Sequence, residues 1–314
     1  MKLPAILLLS ALLQTDSTAV KYGPWVTDVS ETSANILWIG GENTLHSIRL
    51  DTLTAGSRYV YHTLGTDIPS DYVFEFNTLD SQADSCRFAM INDTHGDTEM
   101  MTLLSADIQD RGFDFLMLGG DISSCESGAE DFLNASIGPL EGIAEEMPIF
   151  FARGEAEADG CCRYSLADYF PSRTEGFWYS LRHGPVALLV LDAGPDSAGT
   201  EFDAYRALEA EWLQQAVKDS LFTSAPFKVA VMHSPATDMK FFNTILGEAG
   251  LDLMISGHAH KYSLHPAWQA DNPFPVIVNS SEERLDLRAG ANKLVISFNN
   301  IAGQTVHRYE LRRK

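Results

Sequence analysis

The chain has 314 residues, 45% of them hydrophobic, and a formal net charge of −21 at pH 7. That length and composition are enough for a large buried core, in one large domain or a large domain with a small companion. The charge argues against binding to nucleic acid backbones or anionic membranes, because like-signed fields repel, and any anionic substrate would need a local positive centre such as a bound metal.

Residues 1–19 read as an export signal: Lys2 gives a positive start, "PAILLLSALL" is too short an apolar run to span a bilayer, and Ser17 and Ala19 are the small residues that cleavage favours. No other run is long enough to cross a membrane, so the expectation is a soluble exported protein, periplasmic or secreted. From Trp25 to Thr78 the stretches "PWVTDVS", "ANILWIG", "LHSIRLD", "RYVYHTL" and "DYVFEFNT" alternate apolar and polar residues between turn-rich breaks. This is the pattern of half-buried strands. Residues 23–79 accordingly read as a small fibronectin type III-like β-sandwich. Such sandwiches use about seven strands over about 100 residues, and roughly five fit here, leaving a face for the rest of the chain to cover.

The linker "LDSQADS" leads into residues 84–314, where the rhythm becomes strand, turn, helix. "RFAMIND" is an apolar strand before a helical "TEMMTLLSADIQD", and "FDFLMLGGD" and "IFFARGE" are further strands. The hairpin "FWYSLRHGPVALLVLD", the amphipathic helix around "FDAYRALEAEWLQQAVKDS", the strand "KVAVMH", a short helix and the strand "LDLMISGHAH" follow. "PVIVNSS", "NKLVISFNN" and "QTVHRYELRR" close the chain as β. Strands alternating with helices predict an α/β domain, whose ligands gather beyond the carboxyl ends of the strands. Among the four cysteines, Cys86 opens a buried strand, Cys125 follows a glycine-rich turn, and the adjacent Cys161 and Cys162 are poorly placed to bond each other. They read as structural or free thiols, with a bridge from Cys125 to Cys161 or Cys162 as the lesser alternative.

Chemistry concentrates at the strand ends. "RFAMINDTH" delivers Asp93 and His95, "FLMLGGD" Asp121, "VAVMH" His233, and "LMISGHAH" His258 and His260. A lone Asp at such a place is usually a turn or helix cap. Several blocks ending at one rim form a constellation instead. Imidazole with carboxylate suits zinc, iron and manganese, and a carboxylate can bridge two cations. Two cations about 3.5–4 Å apart can hold a hydroxide, orient a phosphate, and stabilise both the entering and the leaving oxygen.

In order, "DTH", "GGD", "GEAE", "MHS" and "GHAH" resemble the motif series of the calcineurin-like metallophosphoesterases: D-x-H, G-D, G-N-H-[DE], a histidine after a strand, and G-H-x-H. The likeness is greatest to exported bacterial members with an N-terminal domain like that of purple acid phosphatases, whose last strands "HSIRLDTLTAGSRYVYHTLG" resembles. The resemblance implies an α/β/β/α metallophosphoesterase sandwich flanked by helices. It also implies hydrolysis of phosphate mono- or diesters by a hydroxide held between two divalent ions: manganese, iron or zinc. The first ion would be held by Asp93, His95, Asp121 and His260, the second by Asp121, Glu155, His233 and His258, with Asp121 as the bridge. His258 and His260 then serve different ions, and Ala259 between them faces away. The implied partner is a phosphorylated small molecule, with neither nucleic acid nor membrane involved.

The third block departs from the family pattern. Glu155 stands in place of an amide ligand, and Ala156 in place of the histidine that helps the leaving group depart. In the usual site two carboxylates, two divalent ions and one hydroxide leave about +1, and an ionised Glu155 takes this to about 0. The pull on a phosphate dianion weakens accordingly. Trivalent iron would restore the charge, but the tyrosine that binds it in purple acid phosphatases, three residues after the bridging Asp, is Ser124 here, so no purple chromophore is expected. A general acid contributes about 10²–10⁴-fold, so reduced activity is expected, most of all toward poor leaving groups.

Glu157 is the candidate catalytic proton donor in its place, against a structural or solvent-facing carboxylate, and His183 and His265 are further candidates. Asn92 reads as a partner of His95 or a nearby loop, or as a turn cap; Asp192 as a site residue or a cap; Arg153 as a phosphate holder or the partner of an acid. The alternative to an enzyme is a weakened or inactive relative that keeps its metals and binds a phosphorylated ligand.

Overall fold

The structure, a computed structural model, describes residues 8–12, 19–41, 43–64, 67–69, 72–195, 202–238, 240–269 and 272–313, with 8–12 and Leu64 described by backbone alone. Its N-terminal strands are β1 (Leu8–Leu12), β2 (Val20–Thr27), β3 (Ala34–Gly40), β4 (Leu45–Leu50), β5 (Arg58–Leu64) and β6 (Phe74–Asn77). Then come β7 (Cys86–Ile91), α1 (Thr98–Ser105), β8 (Phe115–Leu118), α2 (Ala129–Ser136), β9 (Ile149–Phe151), α3 (Glu155–Asp159) and α4 (Leu166–Tyr169). The hairpin β10 (Tyr179–His183) and β11 (Val186–Leu191) precedes α5 (Asp203–Ala216), α6 (Ser220–Thr223), β12 (Phe227–Met232), α7 (Asn243–Glu248) and β13 (Leu253–Ser256). The chain ends in β14 (Ser263–His265), β15 (Val276–Val278), β16 (Glu283–Gly290), β17 (Lys293–Asn300) and β18 (Thr305–Arg312).

One nine-stranded sheet runs β18-β17-β16-β7-β8-β9-β2-β3-β4, a six-stranded sheet runs β10-β11-β12-β13-β15-β14, and β1-β5-β6 form a third. Period-two alternation sorts the apolar side chains into layers. Phe88, Met90, Phe115 and Met117 of the large sheet meet Leu188, Val190, Val229 and Val231 of the second in one core. On the outer face, Ala89, Ile91, Leu116 and Leu118 pack against Met101 and Leu104 of α1 and Phe132 of α2. Leu189, Ala230 and Met254 do the same with Leu213 of α5, Phe222 of α6 and Leu246 of α7. The expected α/β/β/α layering is therefore present. The runs β7-β8-β9 and β11-β12-β13-β15 are parallel, so their carboxyl ends lie on one rim. Burial on both faces explains why these strands read as unbroken apolar runs.

The N-terminal strands split between two sheets. β2 joins β9 in parallel through the pair Thr27 and Ile149, and the Thr27 hydroxyl donates to the Ile149 carbonyl at 2.6 Å. Tyr59 and Tyr61 of β5 and Phe74 and Phe76 of β6 share the inter-sheet core with Val26, Ile36, Phe88 and Phe115. The rest of the chain thus covers the face that so few strands leave open. The expected export signal falls largely on residues outside those described; within it, β1 pairs in parallel with β5. Among the described residues, no helix is long and apolar enough to cross a membrane.

Two features differ from the sequence expectations. β16 was not expected, yet it lies inside the large sheet between β7 and β17. Leu285 and Leu287 face the inter-sheet core, while Arg284 and Asp286 on its helix-covered face are buried and paired at 2.7 Å, so charges occupy positions where apolar residues would have announced a strand. The free-thiol expectation is corrected for two cysteines: Cys125 and Cys162 form a disulfide with a Cα–Cα distance of 5.9 Å, while Cys86 and Cys161 are free. The adjacent pair faces opposite ways, with Cys162 in the core beneath α2 and Cys161 exposed.

Phe115 is fully buried, stacked on Phe88 with ring centroids 4.9 Å apart and edge-on to Phe150 at 5.2 Å. Phe115→Ala should lower the unfolding free energy by about 3–5 kcal/mol, as read from urea denaturation. A loss below about 1 kcal/mol would show that the two sheets do not share a close-packed core.

Candidate functional site

Each strand on the common rim passes directly into a loop that carries a titratable side chain. Asp93, His95, Asp121, His258 and His260 all lie in the left-handed region, with φ of 56°, 45°, 52°, 72° and 55°. For residues other than glycine this conformation costs about 1–3 kcal/mol each, and it is typical of functional sites. Backbone hydrogen bonds hold the turns together: Asp93 N–H to Gly120 O at 3.0 Å, His95 N–H to Asp121 O at 2.9 Å, and Gly257 N–H to His233 O at 2.9 Å. Two glycines let side chains approach. A Cβ at Gly120, where φ is 93°, would sit 2.5 Å from His233 Nδ1, and one at Gly257 would sit 2.6 Å from Asp93 Oδ2.

These loops bring all seven expected ligands together. Asp93, His95 and His260 form one group, Glu155, His233 and His258 a second, and Asp93, Asp121 and His233 a third, each with ligand atoms within 4.8 Å of one another. His233 Nε2 lies 3.3 Å from Asp121 Oδ2, 3.3 Å from Glu155 Oε2 and 3.6 Å from Asp93 Oδ1. His95 Nε2 is 3.7 Å from Asp121 Oδ2 and 3.0 Å from His260 Nε2, which in turn is 3.4 Å from Asp93 Oδ1. Asp93, Asp121 and His233 are buried, whereas His95 and His260 stand at the exposed mouth.

The surrounding groups orient this cluster. His233 Nδ1 is 2.7 Å from the Gly119 carbonyl, which can only accept, so Nδ1 carries a proton and Nε2 faces the carboxylates. Asp121 Oδ1 accepts from the Ala156 N–H at 2.8 Å, leaving Oδ2 for the cluster. Asp93 accepts from the His258 N–H at 2.9 Å and from Asn92 Nδ2 at 2.6 Å, and Asn92 is held in turn by Asn279 Nδ2 at 2.7 Å. Asn92 therefore serves Asp93 rather than His95. Asn279 and Ser234, whose hydroxyl donates to Glu155 at 3.3 Å, were missed. The signal for Asn279 was present, since it follows the apolar β15 as the other site residues follow their strands.

Glu157 is placed otherwise than its expected catalytic role requires. It is fully enclosed, and its oxygens accept the N–H groups of Asp121 at 2.9 Å, Ile122 at 2.6 Å, Ser123 at 3.1 Å and Gly154 at 2.9 Å. It clamps the Asp121 loop to the start of α3. Burial, with the Asp121 charge beside it, pushes its carboxyl up to about 7 against the pull of those donors. Arg153 pairs with Asp192 at 2.6 Å, which is the reading of Arg153 as partner of an acid, and Asp192 Oδ1 accepts from the Gly194 N–H at 2.9 Å as a cap does. His183 accepts from the Asp80 N–H and His265 bonds Ser263; neither belongs to the three groups.

A cation suits this donor set. Nε2 of His233 is buried without a hydrogen-bond partner among the described residues and points at three carboxylate oxygens. Burial alone would lower the basicity of His233, but Asp121, Asp93 and Glu155 outweigh it and raise the pKa to about 10. Burial would raise Asp121 and Glu155, yet His233 and His258 bring both below the usual carboxylate range. The pocket thus demands positive charge, which a proton on His233 or a metal ion can provide.

A two-sheet core between helices, with histidines and carboxylates gathered on one rim, is an arrangement suited to a metal-dependent hydrolase. A sequence model of the calcineurin-like phosphoesterases matches residues 86–262, more than half of the chain, and the chain belongs to that metal-dependent family of hydrolases acting on phosphoric ester bonds. Its fold is similar to that of purple acid phosphatase PPD1 from yellow lupin (Lupinus luteus) seeds, at 12% identity over 95% of this chain and 75% of that one, with a TM-score of 0.72. It is also similar to PhoD, at 10% identity over 96% of this chain and 90% of that one, with a TM-score of 0.66. At such identities the likeness concerns the fold.

Removing Glu157 leaves four N–H groups without their acceptor. Glu157→Ala should destabilise the metal-free protein by about 2–5 kcal/mol in denaturant titration. Unchanged stability would mean that the Asp121 loop holds itself.

Proposed function

We propose that the chain hydrolyses phosphate mono- or diesters at a centre of two divalent cations, manganese, iron or zinc. Asp93, His95, Asp121 and His260 would hold one ion, and Asp121, Glu155, His233 and His258 the other. The observation that carries this reading is the overlap of the ligand groups: they meet through Asp93 and His233, each common to two of them, instead of standing apart. When bound, the cations supply Lewis acidity and an activated water beside the phosphate. Asp121 Oδ2 lies 3.3 Å from His233 Nε2 and 3.7 Å from His95 Nε2, where Asp121 would serve both halves of the centre, while the Ala156 N–H fixes its other oxygen. His95 and His260 flank the open side, where the ester arrives.

Ala156 contributes an N–H to this arrangement and has no side-chain proton to give. The departing oxygen must therefore leave as a stable anion or take its proton from water, which favours acidic leaving groups. Residues 84–314 form the catalytic unit in this reading, with 23–79 as the small supporting β domain. Export of the mature chain agrees with the Cys125–Cys162 disulfide, since such bonds persist in oxidising compartments. The second reading, a metal-bearing protein that binds a phosphorylated ligand without turnover, is favoured by Ala156 alone.

Manganese-loaded protein should hydrolyse paired aryl phosphate mono- and diesters above an Asp121→Asn blank. No turnover with two metals bound would move the conclusion to the second reading. Asp121→Asn should also lose tight binding of both ions in metal analysis, and a variant that kept two equivalents would sink the bridging role. Glu155→Asn combined with Ala156→His should raise turnover by about 10²-fold or more, most for esters of poor leaving groups. Were the rate to stay put with metals bound, the missing acid would not be the limitation.

A further inference from the structure

The N-terminal strands meet the α/β layers around a cavity of about 760 Å³, inside the usual small-molecule range of about 300–1,000 Å³. Its walls come from the start of β2, from the connection between β5 and β6, and from residues 137–146 after α2, and no residue of the metal cluster takes part. The last of these walls is fixed in place. The Val26 N–H donates to the Ala144 carbonyl at 2.9 Å, and the Tyr61 hydroxyl to the Glu145 carbonyl at 2.7 Å.

Four carboxylates line the cavity, those of Asp67, Glu141, Glu145 and Glu146, against a single ammonium, that of Lys21. Lys21 is already engaged, donating to Glu130 at 2.6 Å and to Asn43 at 2.8 Å. Asp67 accepts the Val20 N–H at 2.9 Å. Partial burial pushes the Glu146 carboxyl up against the pull of Arg58, which itself pairs with Glu75. Glu145 is the least satisfied of the four. It is 6% exposed, and its Oε2 is buried without a hydrogen-bond partner among the described residues. Burial raises its carboxyl above the usual range, the N–H groups of Glu145 and Gly142 pull it down, and the charges of Glu141 and Glu146 push it further up. A buried acceptor without a donor is costly, and a ligand that brings an N–H relieves it.

The remaining walls include Ile68, Ile137 and the rings of Tyr22, Tyr72 and Phe74. Tyr72 and Phe74 pack edge to face with centroids 5.1 Å apart, and aromatic faces attract cations. A metal ion is a poor match, because none of the four carboxylates belongs to the groups whose ligand atoms converge within 4.8 Å of one another. Carboxylates spread among apolar walls suit a cation that has a body of its own. The net charge of −21 draws such molecules toward the protein.

We infer that this cavity binds a small organic amine, a primary ammonium on an apolar body, whose N–H groups meet Glu145 and whose charge the neighbouring carboxylates balance. The site sets three requirements: positive charge, an N–H donor, and an apolar body for the aromatic wall. A quaternary ammonium meets the first and third alone, and an alcohol the second and third alone.

The test titrates phenethylamine, its trimethylammonium analogue and phenethyl alcohol calorimetrically into the full chain at neutral pH, as wild type and as Glu145→Gln, Glu141→Gln and Tyr72→Ala. Glu141 and Tyr72 are exposed, so their variants give the comparison even where Glu145→Gln disturbs the fold. Saturable binding of the amine is expected, with Kd raised about 10-fold by Glu145→Gln and about 3-fold by each of the others. The trimethylammonium compound and the alcohol should each bind at least about 10-fold more weakly than the amine. Absence of saturable amine binding, or an equal Kd in wild type and every folded variant, overturns the site. Equal affinity for the trimethylammonium compound overturns the donor requirement, and equal affinity for the alcohol overturns the charge requirement; either result removes the amine as the ligand.

Discussion

Everything on the rim answers to one electrostatic constraint: three carboxylates, Asp93, Asp121 and Glu155, face the buried Nε2 of His233 within 3.6 Å. Negative charge gathered out of water is costly unless donors and cations surround it. The fold meets part of that demand with its backbone, through the N–H groups of His258 and Ala156, and part with Asn92. The remainder falls to the imidazoles. This explains why His233 is driven so far above its ordinary basicity, and why the strand-end turns are shaped around it.

That constraint also gives the two sheets different tasks. The nine-stranded sheet supplies Asp93, His95, Asp121 and Glu155, and the six-stranded sheet supplies His233, His258 and His260, so all the carboxylates arrive from one layer and three of the four imidazoles from the other. The shared core of Phe88, Phe115, Leu188 and Val229 keeps the layers in register behind the site. The N-terminal strands add to the same core, which makes them part of the support for the centre. Glu157 extends the principle to a loop: one buried carboxylate fixes four backbone donors and with them the position of Asp121.

The parallel strands and the cluster at their ends were legible because double-sided burial leaves unbroken apolar runs, and each run but β15 leads into a titratable residue. β16 was not, because Arg284 and Asp286 satisfy each other inside the sheet and mimic a polar segment. The role of Glu157 was open for a related reason: sequence gives a carboxylate three places from a glycine, but only the folded loop shows that backbone donors surround both of its oxygens. Asn279 escaped notice because it is an amide, and attention to metal-binding side chains passes over the amides that orient them. The disulfide depended on which of two adjacent cysteines faces inward, a choice that the packing beneath α2 makes and local sequence does not.

The left-handed backbone of Asp93, His95, Asp121, His258 and His260 carries an evolutionary consequence. Selection for stability alone would favour glycine at these positions, since it enters the left-handed region without the Cβ penalty of the resident side chain. A lineage that ceased to use the centre would therefore gain robustness by losing it, one substitution at a time. Such a site is held in place against a steady downhill drift, and its occupants are kept only as long as their use outweighs the strain they impose.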